Sequence, residues 1–255
     1  MLGFLADEFY GLSQWLAKVR ANPSVLLSQD GQKDFYDMVP KLYKHCDELG
    51  LALSRNKLME IYHRVNEGCQ ARELPGLLGE LDDRIHEELE SQWFFHVSLQ
   101  KVPYLRPMGA IYSEVLESKF KSTVIELEHA GSCYAFGENT ASVFHSMRAL
   151  EKGLRALADK LEMLPESYQL ENWKNVIDAI EKRIRAMEQE PKSSTKSANV
   201  QFYSQLAVNF WYFKGAWRNH VSHSNQLYDD HEAHKVLAHV FDFLCEAANG
   251  GLAEK

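Results

Sequence analysis

The residues best suited to chemistry lie in residues 217–223, where Arg218 is followed by Asn219 and, five positions after the arginine, by His223. Arginine neutralises a phosphate, histidine exchanges a proton near neutral pH, and an amide side chain can position both groups. Together they could cleave a phosphodiester without a metal ion. The spacing alone is a weak signal, because a sequence of 255 residues with 11 arginines and 11 histidines is expected to contain it about 0.5 times by chance.

The same segment also fits an ordinary helix end. Arg218 and His223 would interact favourably with the negative end of the helix dipole, and Asn219 would then be a polar surface residue. Residues five apart on an ideal helix point about 140° apart. The arginine and the histidine therefore converge only if the helix bends or ends between them. The polar run from Ser222 to Ser224, ahead of a tyrosine and two aspartates, suggests such an ending.

A second group consists of four histidines that flank a turn as two i,i+3 pairs: His220, His223, His231 and His234. Such pairs could bind zinc or another transition metal. No cysteine lies nearby, and the carboxylates that follow the turn are more simply explained as the start of a helix. We therefore expect no metal and no cofactor.

Two further polar groups lie on neighbouring helices. One helix face carries His145, Arg148, Glu151 and Arg155 at i,i+3 and i,i+4 spacings. A solvent-facing row of ion pairs explains this pattern, and the alternative is that Glu151, with Arg148, supports Arg218 from the next layer. A possible basic rim comprises Lys182, Arg183, Arg185, Lys192 and Lys196. It lacks interleaved aromatic residues, so a solvated face is favoured over a nucleic-acid platform.

Composition narrows the function classes. The net charge is −8, distributed as −6 over residues 1–133 and −2 over residues 134–255, so a phosphate-binding groove would have to be local. The four scattered cysteines indicate reduced thiols, and no long apolar run or signal-peptide pattern is present, so we expect a cytoplasmic protein away from membranes. Glycine-rich nucleotide motifs and the G-x-S-x-G elbow are absent, so nucleotide-dependent motors, dinucleotide enzymes and α/β-hydrolases have no support.

The hydrophobic pattern predicts an all-α protein. About four helices are expected in the first half, and a short extended piece is the one exception, near residues 102–105. The second half predicts helices at about 133–161, 169–188, 200–221 and from 229, with Asp229 and Glu232 resembling a capping box. Short loops favour an up-and-down four-helix bundle. The predicted core of this bundle includes Phe144, Leu154, Ile177, Ile180, Phe210, Trp217, Val240 and Leu244.

The second half also resembles the HEPN superfamily, small all-α bundles in which a late helix carries an arginine, four to six residues, and then a histidine. Two segments carry the resemblance in the right order: residues 140–158, TASVFHSMRALEKGLRALA, and residues 216–223, AWRNHVSH. They are similar to the early and late helices of bacterial stand-alone HEPN proteins. This predicts a HEPN-like bundle over residues 126–255 and an additional helical region of unknown role over residues 1–125.

The resemblance implies a metal-independent endoribonuclease in which two bundles pair as a homodimer. Arg218 would stabilise the phosphate, His223 would act as general base or acid for attack by the RNA 2′-hydroxyl, and Asn219 would position these groups. Family members often serve as toxins, with an antitoxin protein as partner, or in phage defence. Others have lost catalysis, so a non-catalytic module that binds RNA, nucleotide or protein is the second hypothesis.

Overall fold

The computed structural model describes residues 6–70, 72–105, 114–163, 171–191, 193, 195–223 and 227–255, without the side chains of residues 6–9, 27, 222 and 223. Within these ranges the chain is helical and contains no strand. It divides into two compact units, Met1–Phe95 and His96–Lys255. The boundary expected between residues 125 and 126 would cut through the helix Lys121–Ala135, which packs within the second unit, so that helix belongs there.

The first unit is built from helices α1 (Ala6–Ala21), α2 (Gln29–Glu48), α3 (Ala52–Asn66) and α4 (Leu74–Glu90), with a 3₁₀ turn at Pro23–Leu27. Their apolar stripes meet in a core that includes Phe35, Leu58, Ile61, Leu74 and Leu78. Pro40 lies inside α2, and Gly50 follows that helix with a φ of 71°, a left-handed conformation that favours glycine.

The helical stripe of α4 ends before the apolar spacing of the sequence does. Trp93 continues the i,i+4 spacing of Leu81, Ile85 and Leu89, but α4 ends at Glu90. Beyond the cap residue the chain is no longer helical, and Trp93 is 89% exposed. Helical spacing places a residue in the core only while the backbone remains helical.

The second unit contains α5 (Glu114–Lys119), α6 (Lys121–Ala135), α7 (Asn139–Lys160), α8 (Trp173–Gln189), α9 (Lys196–Phe213), α10 (Asn219–His223) and α11 (Asp230–Asn249). A π-helical turn, Lys214–Arg218, joins α9 to α10. Helix α7 contacts α6, α8, α9, α10 and α11. Its packing is close at Gly153, where an added Cβ would lie 2.8 Å from Leu244 Cδ2 and 3.6 Å from Phe210 Cζ.

Most of the predicted core residues of the second unit are buried. Leu154, Ile177, Ile180, Phe210, Val240 and Leu244 are fully buried, and Trp217 is partly buried against the same core. Phe144 is a wrong prediction, because it is 43% exposed and the neighbouring Val143 takes the core position. The buried row of α7 is Val143, Met147, Leu150, Leu154 and Leu157, which leaves Phe144 on the adjacent ridge.

Two other local predictions were wrong. Residues 102–104 form a 3₁₀ turn rather than an extended piece. The long helix expected from residue 133 is interrupted after α6, because Gly137 has a φ of 81° and α7 begins only at Asn139. The capping box at the start of α11 is confirmed: Glu232 N donates to Asp229 Oδ1 at 2.8 Å, and Asp229 N donates to Glu232 Oε2 at 3.1 Å.

Candidate active site

The helix that carries the arginine is irregular where the arginine lies. The π-helical turn ends at Arg218, and the Asn219 N–H donates to Lys214 O, five residues earlier. A π turn widens the helix and changes the direction of the side chains that follow it, and such turns are frequent at functional sites. The turn thus sets the direction in which Arg218 and the next residues leave the axis of α9.

The structure describes two of the three predicted catalytic side chains. Arg218 is half-buried and ends the π turn, whereas Asn219 is exposed and begins the single helical turn of α10. His223 ends α10, and its side chain lies outside the described residues, as do residues 224–226. The irregularity lies in residues 214–218, upstream of the interval between the arginine and the histidine. Convergence of Arg218 with His223 therefore stays a prediction.

Neighbouring elements enclose this helix end. The π turn and α10 both contact α7. Past the loop, Tyr228 N donates to Thr140 Oγ1 at 3.2 Å, which ties the start of α11 to the first turn of α7. The candidate site therefore lies where α7, α10 and α11 meet.

A groove opens beside the π turn, with a volume of about 340 Å³. Its walls come from the π turn, α10, α11 and a tyrosine two residues before α11: Ala216, Trp217, His220, Tyr228, Glu232 and Lys235. The Trp217 ring is held by Phe213 and His239, whose ring centroids lie 5.6 and 5.8 Å away. An indole, an imidazole and an ammonium on one groove can contact a base and a phosphate.

Of these groove residues, the sequence pointed to His220 only as a metal ligand, to Trp217 only as a core residue and to Glu232 only as part of a capping box. The sequence does carry a signal for the groove. Trp217 and His220 are spaced i,i+3, as are Glu232 and Lys235, which places each pair on one helix face. This spacing could not reveal that these two faces meet.

Burial, and next the charge of Glu232, raise the pKa of Tyr228 above its ordinary value, so this phenol remains protonated at neutral pH.

The supporting residues have other described partners. Glu151 Oε1 accepts a hydrogen bond from Arg155 Nη2 at 3.0 Å, one turn along α7. Arg148 Nη2 donates to Glu126 Oε1 at 2.9 Å, across to α6. The structure thus gives Glu151 and Arg148 contacts along and beside α7, and the idea that they support Arg218 stays a prediction.

Glu126 is a buried carboxylate that the sequence did not single out. Its side chain is only 8% exposed, and besides Arg148 it contacts His145 Nδ1 at 2.9 Å and Lys152 Nζ at 4.0 Å. Burial disfavours its charged form, but the hydrogen bonds from Arg148 and His145 outweigh that effect and lower the pKa of Glu126 below 4.5. At neutral pH it is an ionised anchor for cationic side chains on α7.

The histidines considered as metal ligands do not form a common site in the described part of the chain. His234 is engaged elsewhere, since its Nε2 lies 2.6 Å from Tyr104 Oη and its ring stacks on Tyr134 at 5.5 Å. Across the described ranges, no three His, Cys, Asp or Glu residues are grouped to hold a metal ion. The side chain of His223 lies outside those ranges.

Three residues of the basic rim, two on α8 and one at the start of α9, have acidic or carbonyl partners. Arg183 contacts Glu190 at 3.0 Å and Arg185 contacts Glu181 at 3.4 Å. Lys196 Nζ donates to Glu188 O at 2.7 Å, and Lys192 lies outside the described residues. Because neighbouring acids and carbonyls take up these charges, the rim has the character of a solvated helix face.

No protein-family model, no curated protein and no solved structure matches this chain. None of the helices in the described ranges combines the length and the apolarity that crossing a membrane requires. The functional argument therefore depends on the residues and the geometry given above.

Proposed function

We propose that the second unit is a HEPN-like, metal-independent endoribonuclease. In this proposal α7, α8, the α9–α10 helix and α11 form the four-helix bundle of that superfamily, and the protein acts in the cytoplasm as a toxin or in phage defence. The observation that supports it most is the π turn, which ends at Arg218 and borders a groove lined by Trp217, His220 and Lys235. A plain helix end needs neither feature.

The chemistry follows from the residue types. One histidine removes the proton from the RNA 2′-hydroxyl, whose oxygen then bonds to the adjacent phosphorus while the bond from phosphorus to the 5′-oxygen breaks. The leaving oxygen takes up a proton, and the products carry a 2′,3′-cyclic phosphate and a 5′-hydroxyl. Arg218 stabilises the charge that develops on the phosphate, and Asn219 holds the reacting groups in place. His223 is the base or the acid.

The spacing of the motif favours a homodimer for this reaction. Positions 218 and 223 are five apart, and on an ideal helix such positions lie about 140° apart around the axis. Two copies that pair through this helix end can place Arg218 opposite His223 of the partner subunit. Two sets in one cleft also supply both an acid and a base. Light scattering at micromolar concentration should therefore give the mass of two chains.

Cleavage of labelled single-stranded RNA in EDTA tests the proposal. Arg218→Ala and His223→Ala should each reduce cleavage by at least about 100-fold, while the thermal midpoint stays close to that of the wild type. Arg185→Ala and His231→Ala change an exposed arginine and an exposed histidine in the same unit, and should retain activity. RNA with 2′-deoxy sugars should not be cleaved, because it lacks the attacking hydroxyl.

The two inactive variants also test the composite site. Mixing Arg218→Ala with His223→Ala should restore part of the activity, because a mixed dimer keeps one Arg218 and one His223 in the shared cleft. Absence of cleavage by the wild type under all conditions would overturn the proposal and favour a non-catalytic module that binds RNA, nucleotide or a protein such as an antitoxin. Retained cleavage by His223→Ala would show that the histidine is misassigned.

A further inference from the structure

A row of side chains runs along the outside of α7, beginning at the candidate site. Thr140, Phe144, Arg148 and Lys152 are spaced i,i+4, so they form one ridge, and we call the last three the α7 ridge. Thr140 accepts the hydrogen bond from the backbone of Tyr228, which lines the groove. At about 1.5 Å per residue, Phe144 lies roughly 6 Å and Arg148 roughly 12 Å along the helix from Thr140. The ridge therefore extends from the edge of the groove.

Aromatic rings are grouped on this face. Phe144 is 43% exposed, and its ring centroid lies 5.8 Å from that of His145. The His145 ring lies 5.2 Å from the exposed His129 ring of α6, with 34° between the ring planes. Arg148 Cζ lies 5.9 Å from the centre of Phe144. Flat faces of this kind accept stacked nucleobases of any sequence.

The two ionised side chains of the α7 ridge, Arg148 and Lys152, are both cations. The carboxylate of Glu126 is buried, whereas the side chain of Arg148 is 52% exposed and that of Lys152 is partly exposed. Two permanent cations thus face outward over one buried anion. Bonding to Glu126 holds the Arg148 guanidinium in one orientation and leaves its remaining N–H groups for a phosphate.

We infer that the α7 ridge, with the rings of His145 and His129, is a track for single-stranded RNA that continues from the groove. Bases stack on the exposed rings and phosphates bind Arg148 and Lys152. The inference rests on the proposed function, since it assigns the substrate class of that nuclease. Single strands are favoured over duplexes because base faces can reach exposed rings only when they are not stacked within a helix.

Binding of short RNA with 2′-O-methyl sugars to the wild type tests the track without cleavage. Arg148→Gln and Phe144→Leu should each weaken binding in fluorescence anisotropy by about fivefold or more, the loss expected for one stacked base or one charged contact. Arg148→Gln should also reduce by about one the slope of log affinity against log salt concentration. Arg148→Lys keeps the charge and should restore much of the salt slope.

Matched controls separate a local loss of binding from a loss of structure. Arg185→Gln removes an exposed arginine with an i,i+4 partner on α8, and Phe136→Leu alters a phenylalanine that is 41% exposed and lies outside the α7 ridge. Both should bind RNA as the wild type does. Circular dichroism melting of each ridge variant should show that the unit remains folded at the temperature of the assay.

The outcomes distinguish this inference from the nuclease assignment. Unchanged affinity and salt slope in both ridge variants, tighter binding of double-stranded RNA, or no binding of single strands by the wild type would each overturn the track. Cleavage that depends on Arg218 and His223 would still support the nuclease. Conversely, ridge-dependent binding without any cleavage would support the track and overturn the catalytic proposal.

Discussion

The substitution Glu126→Gln removes the charge of a buried carboxylate while keeping the size of the side chain. Glu126 accepts hydrogen bonds from Arg148 and His145, and a hydrogen bond to a charged group contributes about 1.5–3 kcal/mol. Because the Arg148 and His145 side chains are partly exposed, water replaces part of the hydrogen bonding that the substitution removes. We therefore expect the free energy of unfolding to fall by about 1–3 kcal/mol at pH 7.

Thermal and urea denaturation measure this loss. For a unit of this size, each kcal/mol lowers the midpoint by about 2–4 °C. Glu117→Gln changes an exposed glutamate on α5 and should leave the free energy of unfolding within about 0.5 kcal/mol of the wild type. A double-mutant cycle that combines Glu126→Gln with Arg148→Gln should show a coupling energy of at least about 0.5 kcal/mol, because these two side chains are in contact.

The same loss should depend on pH in a defined direction. The pKa of Glu126 is lower in the folded protein than its ordinary value of 4.5, so the charged carboxylate stabilises the fold above about pH 4.5. That stabilisation disappears as the pH falls through the lower, folded pKa. The difference between wild type and Glu126→Gln should therefore shrink from pH 7 to pH 3. Equal stability at pH 7, or a difference that grows in acid, would refute the reasoning.

Two further predictions concern the packing of α6. Glu254 accepts hydrogen bonds from two backbone N–H groups at the start of α6, at 2.8 and 3.0 Å, so Glu254→Ala should cost about 0.5–2 kcal/mol in urea denaturation, with Lys255→Ala neutral. Gly131→Ala should destabilise the protein by at least about 1 kcal/mol, because the new Cβ would lie 2.7 Å from Tyr104 O. The control Gly79→Ala, whose new Cβ meets nothing within 4 Å, should be neutral or stabilising in the same denaturation experiments. A stable Gly131→Ala would contradict the close approach.

Helical periodicity was sufficient where each helix buries one face against a single core. It predicted α8, α9 and α11 and placed Ile177, Phe210 and Val240 in the core. It failed by one position at Phe144, because α7 packs against helices on several sides and its buried stripe is broad. On a broad stripe, neighbouring apolar residues compete for the core, and only the packing decides between Val143 and Phe144.

The site was less predictable than the fold because its partners are distant in sequence. Arg148 pairs with Glu126 across 22 positions, and no local spacing signals that contact. The π turn has no sequence signature that the periodicity could detect, because the apolar spacing of α9 continues through Trp217. The basic run on α8 lacks interleaved aromatic residues, whereas the structure brings rings and cations together on α6 and α7.

Helix α7 links the groove, the α7 ridge and the core of the second unit. Its first turn holds Tyr228 through Thr140, its ridge carries Phe144 and Arg148, and its opposite face packs in the core. Positions along one helix are fixed relative to one another, so the ridge keeps its distance from the groove wall at Tyr228. Arg218, in contrast, is positioned by the π turn. Under the two proposals, binding of RNA and cleavage of RNA depend on different elements, so changes in the π turn should impair cleavage more than binding.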